Sequence, residues 1–400
     1  MSRTLILFSA SFLAGLLLAR GLRGSLADDT LVFYWMIGAV LPAVLASLLQ
    51  KSSSAGIRQK GSTKISIRRL VNKSFALFAG CSLVLILAMA GTLLNIEPFK
   101  TFLDDFLPVY PILAVCIPVY VVLFERLTGI TNDDHSCAGA RILGQDRTPW
   151  SNHRRWALSW LVKAFFIPLM YGWLHSALTQ LLNLGMPSQD NWTVWLFSIG
   201  LSIDLLIATA GYIFASKLFQ SEVISVDGTW TGWLVCLLCY PPLLQHLRTL
   251  TTQVDNYTWT DWLDPSQVLY WVWASAIVAS WMVYWLSTVA FGLKFSNLSY
   301  RGLISSGPYR WCKHPAYLAK NVYWWIHTVP FFGILGTGEL VRNIAGLSLL
   351  SLVYFLRAKT EERHLSKFTE YRAYARAMDG KFPWKYLRRN PDRELQPFPH

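Results

Sequence analysis

The sequence predicts an all-α, polytopic helical membrane protein. Of its 400 residues, 53% are hydrophobic and only 15% are charged, and the mean hydropathy is +0.34. A soluble chain of this composition would aggregate. Its apolar runs also recur at roughly the 20-residue length that crosses a hydrocarbon core of about 30 Å. These observations exclude soluble dinucleotide-binding enzymes and disulfide-stapled secreted modules.

About ten apolar runs are long enough to be transmembrane helices. In chain order, the predicted spans are residues 4–20, 31–50, 74–95, 108–125, 157–182, 192–216, 231–247, 268–292, 316–335 and 340–356. The first run is as short as a signal peptide, but Arg20 and Arg23 directly after it favour an uncleaved helix.

The positions of the basic residues predict the orientation. Residues 51–73 contain seven Lys and Arg and no acidic residue, which makes this loop cytoplasmic by the positive-inside rule. Alternation then places both termini inside, together with a basic, helix-compatible tail that begins at Arg357. The net charge of +13 therefore reflects membrane topology, and we expect no nucleic-acid partner.

The stretch that leads into the ninth predicted span is rich in polar and aromatic residues. Gly307 and Pro308 indicate a tight turn, and Pro315 suits the first turn of a helix. The N-terminus of that helix offers unpaired backbone N–H groups to an anion. At helical spacing, His314, Tyr317 and Asn321 share one face, so three polar groups meet where the helix leaves the cytoplasmic interface.

A pair of carboxylates follows the tenth predicted span. Glu361 and Glu362 are adjacent, and because acidic residues contribute little to topology, such a pair is a candidate site for a polar ligand. By alternation, this pair and the loop around His314 lie on the same side of the membrane. A two-span hairpin therefore brings them together.

These two stretches resemble the isoprenylcysteine carboxyl methyltransferase and phospholipid methyltransferase superfamily. The first motif is Gly-Pro-Tyr-Arg-x-x-Lys-His-Pro-x-Tyr, and the second is Glu-Glu-x-x-Leu followed by Phe and two Tyr at intervals of three. The resemblance is strongest over residues 268–384. Lys313 replaces the Arg that is usual in the first motif, which keeps the charge but loses a bidentate fork.

The resemblance implies an integral membrane methyltransferase that uses S-adenosylmethionine, bound from the cytosol between the last two spans and the tail. The residues that it assigns to the cofactor are Tyr309, His314, Pro315, Tyr317, Glu361 and Glu362. The acceptor is then lipid-like or lipidated, carries a carboxylate or an amine, and enters from the bilayer. An amine must first lose a proton, for which Glu362 or His314 is a candidate base, and Asn321 completes the candidate catalytic set. No metal is required.

Two other functions remain open. An NADPH-dependent sterol-type reductase shares a similar Gly-Pro-Tyr to His-Pro-x-Tyr segment, although the Glu-Glu-x-x-Leu form favours the methyltransferase. A transporter or a non-catalytic scaffold is expected to carry more ionisable residues deep in its spans. Here only Asp204, Lys163 and His175 stand out, and Asp204 either contacts substrate or pairs with one of the other two.

The expected organisation is an accessory transmembrane bundle over residues 1–190 and a methyltransferase-like core with its tail over residues 191–400. The predicted location is a bacterial inner membrane or the endoplasmic reticulum, with the active site facing the cytoplasm. The sequence leaves the oligomeric state open.

Overall fold

The computed structural model describes residues 3–53, 66–188, 191–254, 257–330 and 336–380. Part of the basic segment used to predict the orientation, including Arg58, Lys60 and Lys64, lies outside the described residues. The predicted tail lies outside them after residue 380.

The described residues are mostly helical. The helices are α1 (Arg3–Gly21), α2 (Asp28–Ser53), α3 (Ile67–Leu93), α4 (Glu97–Phe106), α5 (Leu113–Thr128), α6 (Asp134–Ile142), α7 (Arg154–Asn183), α8 (Trp192–Ile213), α9 (Trp230–Leu237), α10 (Leu243–Thr251), α11 (Trp259–Trp262), α12 (Val268–Phe291), α13 (Pro315–Thr328), α14 (Thr337–Leu365) and α15 (Thr369–Asp379). Two-residue strands β1 (Ser225–Val226) and β2 (Ser299–Tyr300) pair antiparallel. This ribbon joins the loop after α8 to the loop before α13.

Six helical segments within the described ranges are long and apolar enough to cross a membrane. They are Ile67–Leu93, Tyr110–Thr128, Trp150–Asn183, Trp192–Ile213, Val268–Lys294 and Thr337–Leu365. The fold is therefore that of a helical, polytopic membrane protein. The count of ten spans is not confirmed, and the inward orientation of both termini stays a prediction.

Two predicted spans differ from the helices that form. The span over residues 231–247 is divided into α9 and α10, because Pro241 and Pro242 supply no backbone N–H to continue the helix. Residues 331–335 of the predicted span over 316–335 lie outside the described residues. The rest of it contains α13, which has 14 residues and is about 21 Å long at 1.5 Å per residue. Thus α13 by itself is shorter than the hydrocarbon core.

Buried apolar side chains form two clusters. The larger one is centred on α7 and also contains residues of α1 to α4 and α8. The smaller one joins α11 and α12 to residues packed from α8 and α13. Because α8 contributes to both clusters, the packing is continuous across residue 190, and the division into two domains stays a prediction.

Close approach of α8 to α12 depends on a glycine. A Cβ atom at Gly200 would lie 2.2 Å from the ring of Trp285, so any larger residue would force that ring or the helices to shift. Small residues serve this purpose in many membrane helix contacts.

A buried ion cluster ties α3, α5 and α6 together. Nζ of Lys73 lies 2.9 Å from a carboxylate oxygen of Glu125 and 3.3 Å from one of Asp133. It also donates to the backbone oxygen of Ile130 at 3.0 Å. Lys73 and Glu125 are each only 2% exposed. Partnered charges of this kind are costly to separate, since removing one leaves the other buried without compensation.

We expect Lys73→Met to lower the free energy of unfolding by about 3 kcal/mol, because it leaves Glu125 buried with a weaker partner. The remaining partner is Arg69, whose Nε lies 3.6 Å from Glu125. Unfolding by SDS in mixed micelles, followed by tryptophan fluorescence, measures the change. Arg126→Met, at an exposed position of α5, is the control and should be nearly neutral. Equal stability of the two variants would contradict the buried cluster.

Candidate active site

The predicted turn and helix start are both present before α13. Gly307 has φ of +61°, a left-handed conformation that glycine adopts without steric cost. A short 3₁₀ turn, Gly307–Arg310, follows it. Pro315 is the first residue of α13, and His314 holds the N-cap position. The local sequence thus sets where His314 leaves the loop.

The carboxylate pair belongs to the last turn of α14. We predicted a span that ends at residue 356 with the pair beyond it, but the helix continues unbroken to Leu365. Hydropathy marks where apolar residues stop, whereas backbone hydrogen bonding continues through the charged residues that follow. Glu361 and Glu362 are therefore held on a helix, with defined directions.

His314 lies between the two carboxylates. Its Nδ1 is 3.6 Å from Oε2 of Glu361, and its Nε2 is 3.3 Å from Oε1 of Glu362. The two stretches singled out in the sequence are therefore adjacent, 48 positions apart in the chain. This juxtaposition is what a hairpin of the last two predicted spans requires.

Lys313 joins the loop before α13 to both following helices. Its Nζ lies 3.0 Å from a carboxylate oxygen of Glu362 on α14 and 3.0 Å from one of Asp379 on α15. Burial acts to lower the pKa of Lys313, but the hydrogen bonds and charges of Asp379 and Glu362 outweigh it and raise the pKa above its ordinary value. Lys359 also contacts Glu362, at 3.0 Å.

Stacked rings and a buried cation continue inward from His314. The His314 ring stacks on Tyr317 with centroids 5.7 Å apart, and Tyr317 stacks on Tyr354 at 6.2 Å. The guanidinium of Arg357 lies 5.2 Å from the centroid of the Tyr317 ring. It also donates to the side-chain oxygen of Asn297 at 2.8 Å. The contact between α13 and α14 is therefore aromatic and cationic.

These groups face a cavity of about 620 Å³. Of the predicted cofactor residues, Tyr309, His314, Tyr317 and Glu361 line it. The other three predicted site residues do not.

Those three residues make their contacts outside the cavity lining. Pro315 is buried at the start of α13. The side-chain amide of Asn321 donates to the backbone oxygen of Tyr317 at 3.1 Å, four residues earlier in the same helix. Glu362 is turned toward Lys313, His314 and Lys359.

Helix α15 covers the loop that carries the first motif. The Tyr374 hydroxyl donates to the backbone oxygen of Tyr309 at 2.7 Å. The Tyr300 hydroxyl bonds to Glu370, and the Tyr300 ring stacks on Phe368 at 4.0 Å. The described part of the tail therefore packs against this loop, and its residues Tyr371 and Tyr374 line the cavity.

Several residues that line the cavity were not predicted as site residues from the sequence. They are Arg357, Asn297, Tyr240, Lys320, Tyr371 and Tyr374. For Arg357 the sequence did contain an indication. It follows an apolar run directly, and an ionisable residue at such a position is a functional candidate because its burial is costly. Asn297 lies in a polar connector between two predicted spans, whereas Tyr240 had no local signal because its partners lie far along the chain.

The predicted partner of Asp204 is wrong. Its Oδ2 accepts a hydrogen bond from the Tyr284 hydroxyl at 2.7 Å. Lys163 instead lies over the ring of Trp160, and His175 is 3.7 Å from Asp29. Asp204 also lines the cavity, which leaves its predicted contact with substrate open.

Comparison with known proteins supports the resemblance. Residues 268–367 match the model of the isoprenylcysteine carboxyl methyltransferase (ICMT) family. The chain is similar to cobalt-zinc-cadmium resistance protein CzcN of Cupriavidus metallidurans, with 35% identity over 86 residues that cover 20% of this chain and 35% of that protein. It is also similar to nickel-cobalt-cadmium resistance protein NccN of Alcaligenes xylosoxydans xylosoxydans, with 31% identity over 86 residues that cover 20% of this chain and 36% of that protein.

The chain thus spans about a third of the length of the curated relatives it matches. No solved structure matches it significantly. The family match contains both halves of the site, from the Gly-Pro-Tyr turn to the carboxylate pair, and confirms the resemblance to the superfamily. It supports a membrane methyltransferase over a reductase, a transporter or a scaffold.

We expect Lys313→Met to loosen α15, because it removes the ion pair with Asp379 that joins this helix to the loop before α13. If this pair is worth ~1 kcal/mol, amide hydrogen exchange over residues 369–379 should become about fivefold faster. Exchange measured by mass spectrometry on the full chain checks this, with the exposed Lys367→Met as control. Unchanged exchange in Lys313→Met would show that the ion pair with Asp379 does not hold α15.

The ion pair between Lys313 and Asp379 should not depend on pH near neutrality. A raised lysine pKa contributes stability that is fully present below the unfolded value of 10.5 and is lost only as pH rises through the folded value. Protection of α15, corrected for intrinsic exchange, should therefore stay constant between about pH 6 and pH 9. Loss of protection in that window would mean that another group controls the contact.

Proposed function

We propose that this protein is an integral membrane methyltransferase that transfers a methyl group from S-adenosylmethionine to a lipid-like or lipidated acceptor. One observation carries the proposal. The loop at His314 and the last turn of α14 at Glu361 meet at one cavity, and the segment that matches the ICMT family contains both. We place this cavity on the cytoplasmic side of the membrane.

The cavity fits the donor in size and chemistry. A volume of about 620 Å³ lies within the range of roughly 300–1,000 Å³ typical of small-molecule sites. Glu361 offers a carboxylate to ribose hydroxyls or to an amino group, and its side chain is 39% exposed. Arg357 offers a guanidinium to a carboxylate, while the rings of Tyr309 and Tyr317 offer faces to an adenine or to a cationic sulfur.

When bound, S-adenosylmethionine supplies a methyl carbon that its sulfonium already activates. The protein then has to align the acceptor and exclude water, and alignment alone is worth on the order of 7–11 kcal/mol. The aromatic rings along α13 and α14 are suited to align the acceptor, and helix α15, which covers the first-motif loop, is suited to exclude water. The contacts of Glu362 with Lys313, His314 and Lys359 support a positioning role, in which it holds His314 against the cavity.

The position of the cavity supports an acceptor from the bilayer. Its deeper wall is formed by α8, α12 and α13, two of which are candidate spans. Apolar and aromatic side chains line that part, among them Phe197, Leu201 and Trp281. A lipid chain would find a matching surface there, whereas the charged groups near His314 suit a water-soluble donor.

We expect Glu361→Ala to weaken binding of S-adenosylhomocysteine by roughly 10- to 100-fold, since a hydrogen bond to a charged group is worth about 1.5–3 kcal/mol. His314→Ala should weaken it less, because His314 acts partly by orienting Glu361 and Tyr317. Calorimetric titration of the detergent-solubilised chain measures both. Glu339→Ala, at the opposite end of α14, is the matched control.

Unchanged affinity in both site variants would remove the assignment of these residues. Failure of the wild-type chain to bind S-adenosylmethionine or S-adenosylhomocysteine would contradict the methyltransferase. Binding of NADPH instead would favour the sterol-type reductase.

A further inference from the structure

A second polar cluster lines the same cavity at a deeper level. Asp204 on α8 accepts a hydrogen bond from Tyr284 on α12 at 2.7 Å. Nζ of Lys320 on α13 lies 4.3 Å from the centroid of the Tyr284 ring. All three residues line the cavity, as does Thr288, one turn further along α12. Helices α8, α12 and α13 thus place polar side chains next to one another in the cavity wall.

The cluster is separate from the groups assigned to the donor. Gly211, near the end of α8, accepts a hydrogen bond from the loop residue Arg301 at 2.7 Å, which marks the level of the loops. Asp204 lies seven residues earlier, about 10 Å down the helix axis at 1.5 Å per residue. Lys320 similarly lies five residues after Pro315, about 7 Å into α13. The cavity therefore has an upper polar level around His314 and a lower one around Asp204.

The Asp204 carboxylate is incompletely satisfied. The residue is 5% exposed, and its Oδ1 atom is buried with no hydrogen-bond partner among the described residues. The Lys320 ammonium sits over the Tyr284 ring, and the Thr288 hydroxyl is a further hydrogen-bond partner of the Asp204 carboxylate. Buried polar atoms are normally hydrogen-bonded, because an unpaired one carries a desolvation cost. A carboxylate has about four acceptor sites, so the Asp204 carboxylate retains capacity for a further donor from a ligand or from water.

We propose that Oδ1 of Asp204 binds an N–H or O–H group in the polar head of the methyl acceptor. The methyl acceptor is then an amphiphile with an amine or hydroxyl head. A carboxylate head is disfavoured, because it would face the Asp204 carboxylate with no hydrogen-bond donor between them. Its chain lies along the apolar side chains of Phe197, Leu201 and Trp281. This inference rests on the proposed function, and it assigns Asp204 to acceptor recognition and the upper level to the donor.

A series of amphiphiles with one chain and different heads tests the proposal. Oleylamine, oleyl alcohol and oleic acid are titrated into the full chain in detergent, and thermal unfolding followed by tryptophan fluorescence reports binding to the folded protein. We expect oleylamine and oleyl alcohol to raise the unfolding temperature at roughly tenfold lower concentration than oleic acid. The net charge of +13 opposes this order for non-specific binding, so charge alone cannot produce it.

Asp204→Asn provides the second arm. The amide can still accept from Tyr284, but it presents N–H groups where Oδ1 was. We expect it to weaken oleylamine binding by roughly tenfold and to leave the affinity for S-adenosylhomocysteine unchanged. Asp104→Asn, which removes the same charge at an exposed position of α4, should behave as wild type.

The outcomes separate the two proposals. Equal binding of oleic acid and oleylamine, or wild-type oleylamine affinity in Asp204→Asn, would overturn the role of Asp204 and leave the methyltransferase standing if S-adenosylhomocysteine still binds. Binding of oleylamine through Asp204 without any binding of S-adenosylhomocysteine would overturn the methyltransferase and retain the amphiphile site.

Discussion

The contact between the start of α13 and the last turn of α14 determines the geometry of the whole site. His314 is fixed at the helix N-terminus by the Gly307 turn and by Pro315, and its two ring nitrogens face Glu361 and Glu362. Two acidic side chains beside one imidazole are favourable only if further cations balance them. Lys313 and Lys359 supply that balance at Glu362, which leaves Glu361 directed at the cavity.

The division of labour between adjacent carboxylates follows from their surroundings. Neighbouring residues on a helix point about 100° apart, so Glu361 and Glu362 meet different nitrogens of His314 and have different further surroundings. One is enclosed by positive charges and supports the structure, while the other lines the cavity. Further in, Arg357 is buried among aromatic faces and the Asn297 amide. The Arg357 guanidinium thus places a positive charge in the same cavity as the Glu361 carboxylate.

Local sequence chemistry predicted the parts of the site that depend on few neighbouring residues. The Gly307 turn, the start of α13 at Pro315 and the meeting of His314 with Glu361 follow from turn propensity, proline at a helix start and a hairpin. Interactions such as Asp204 with Tyr284 join residues 80 positions apart, and no local pattern indicates them. The break of the span over residues 231–247 did have a local signal in Pro241 and Pro242, but hydropathy outweighed it in the prediction.

Photo-crosslinking of the full chain with S-adenosylmethionine labelled in its methyl group tests most directly whether this cavity holds the donor. We predict that irradiation labels peptides from residues 307–321 and 357–365, and that excess S-adenosylhomocysteine removes the label. Label confined to peptides from α1 to α7, or label that S-adenosylhomocysteine does not displace, would contradict the account.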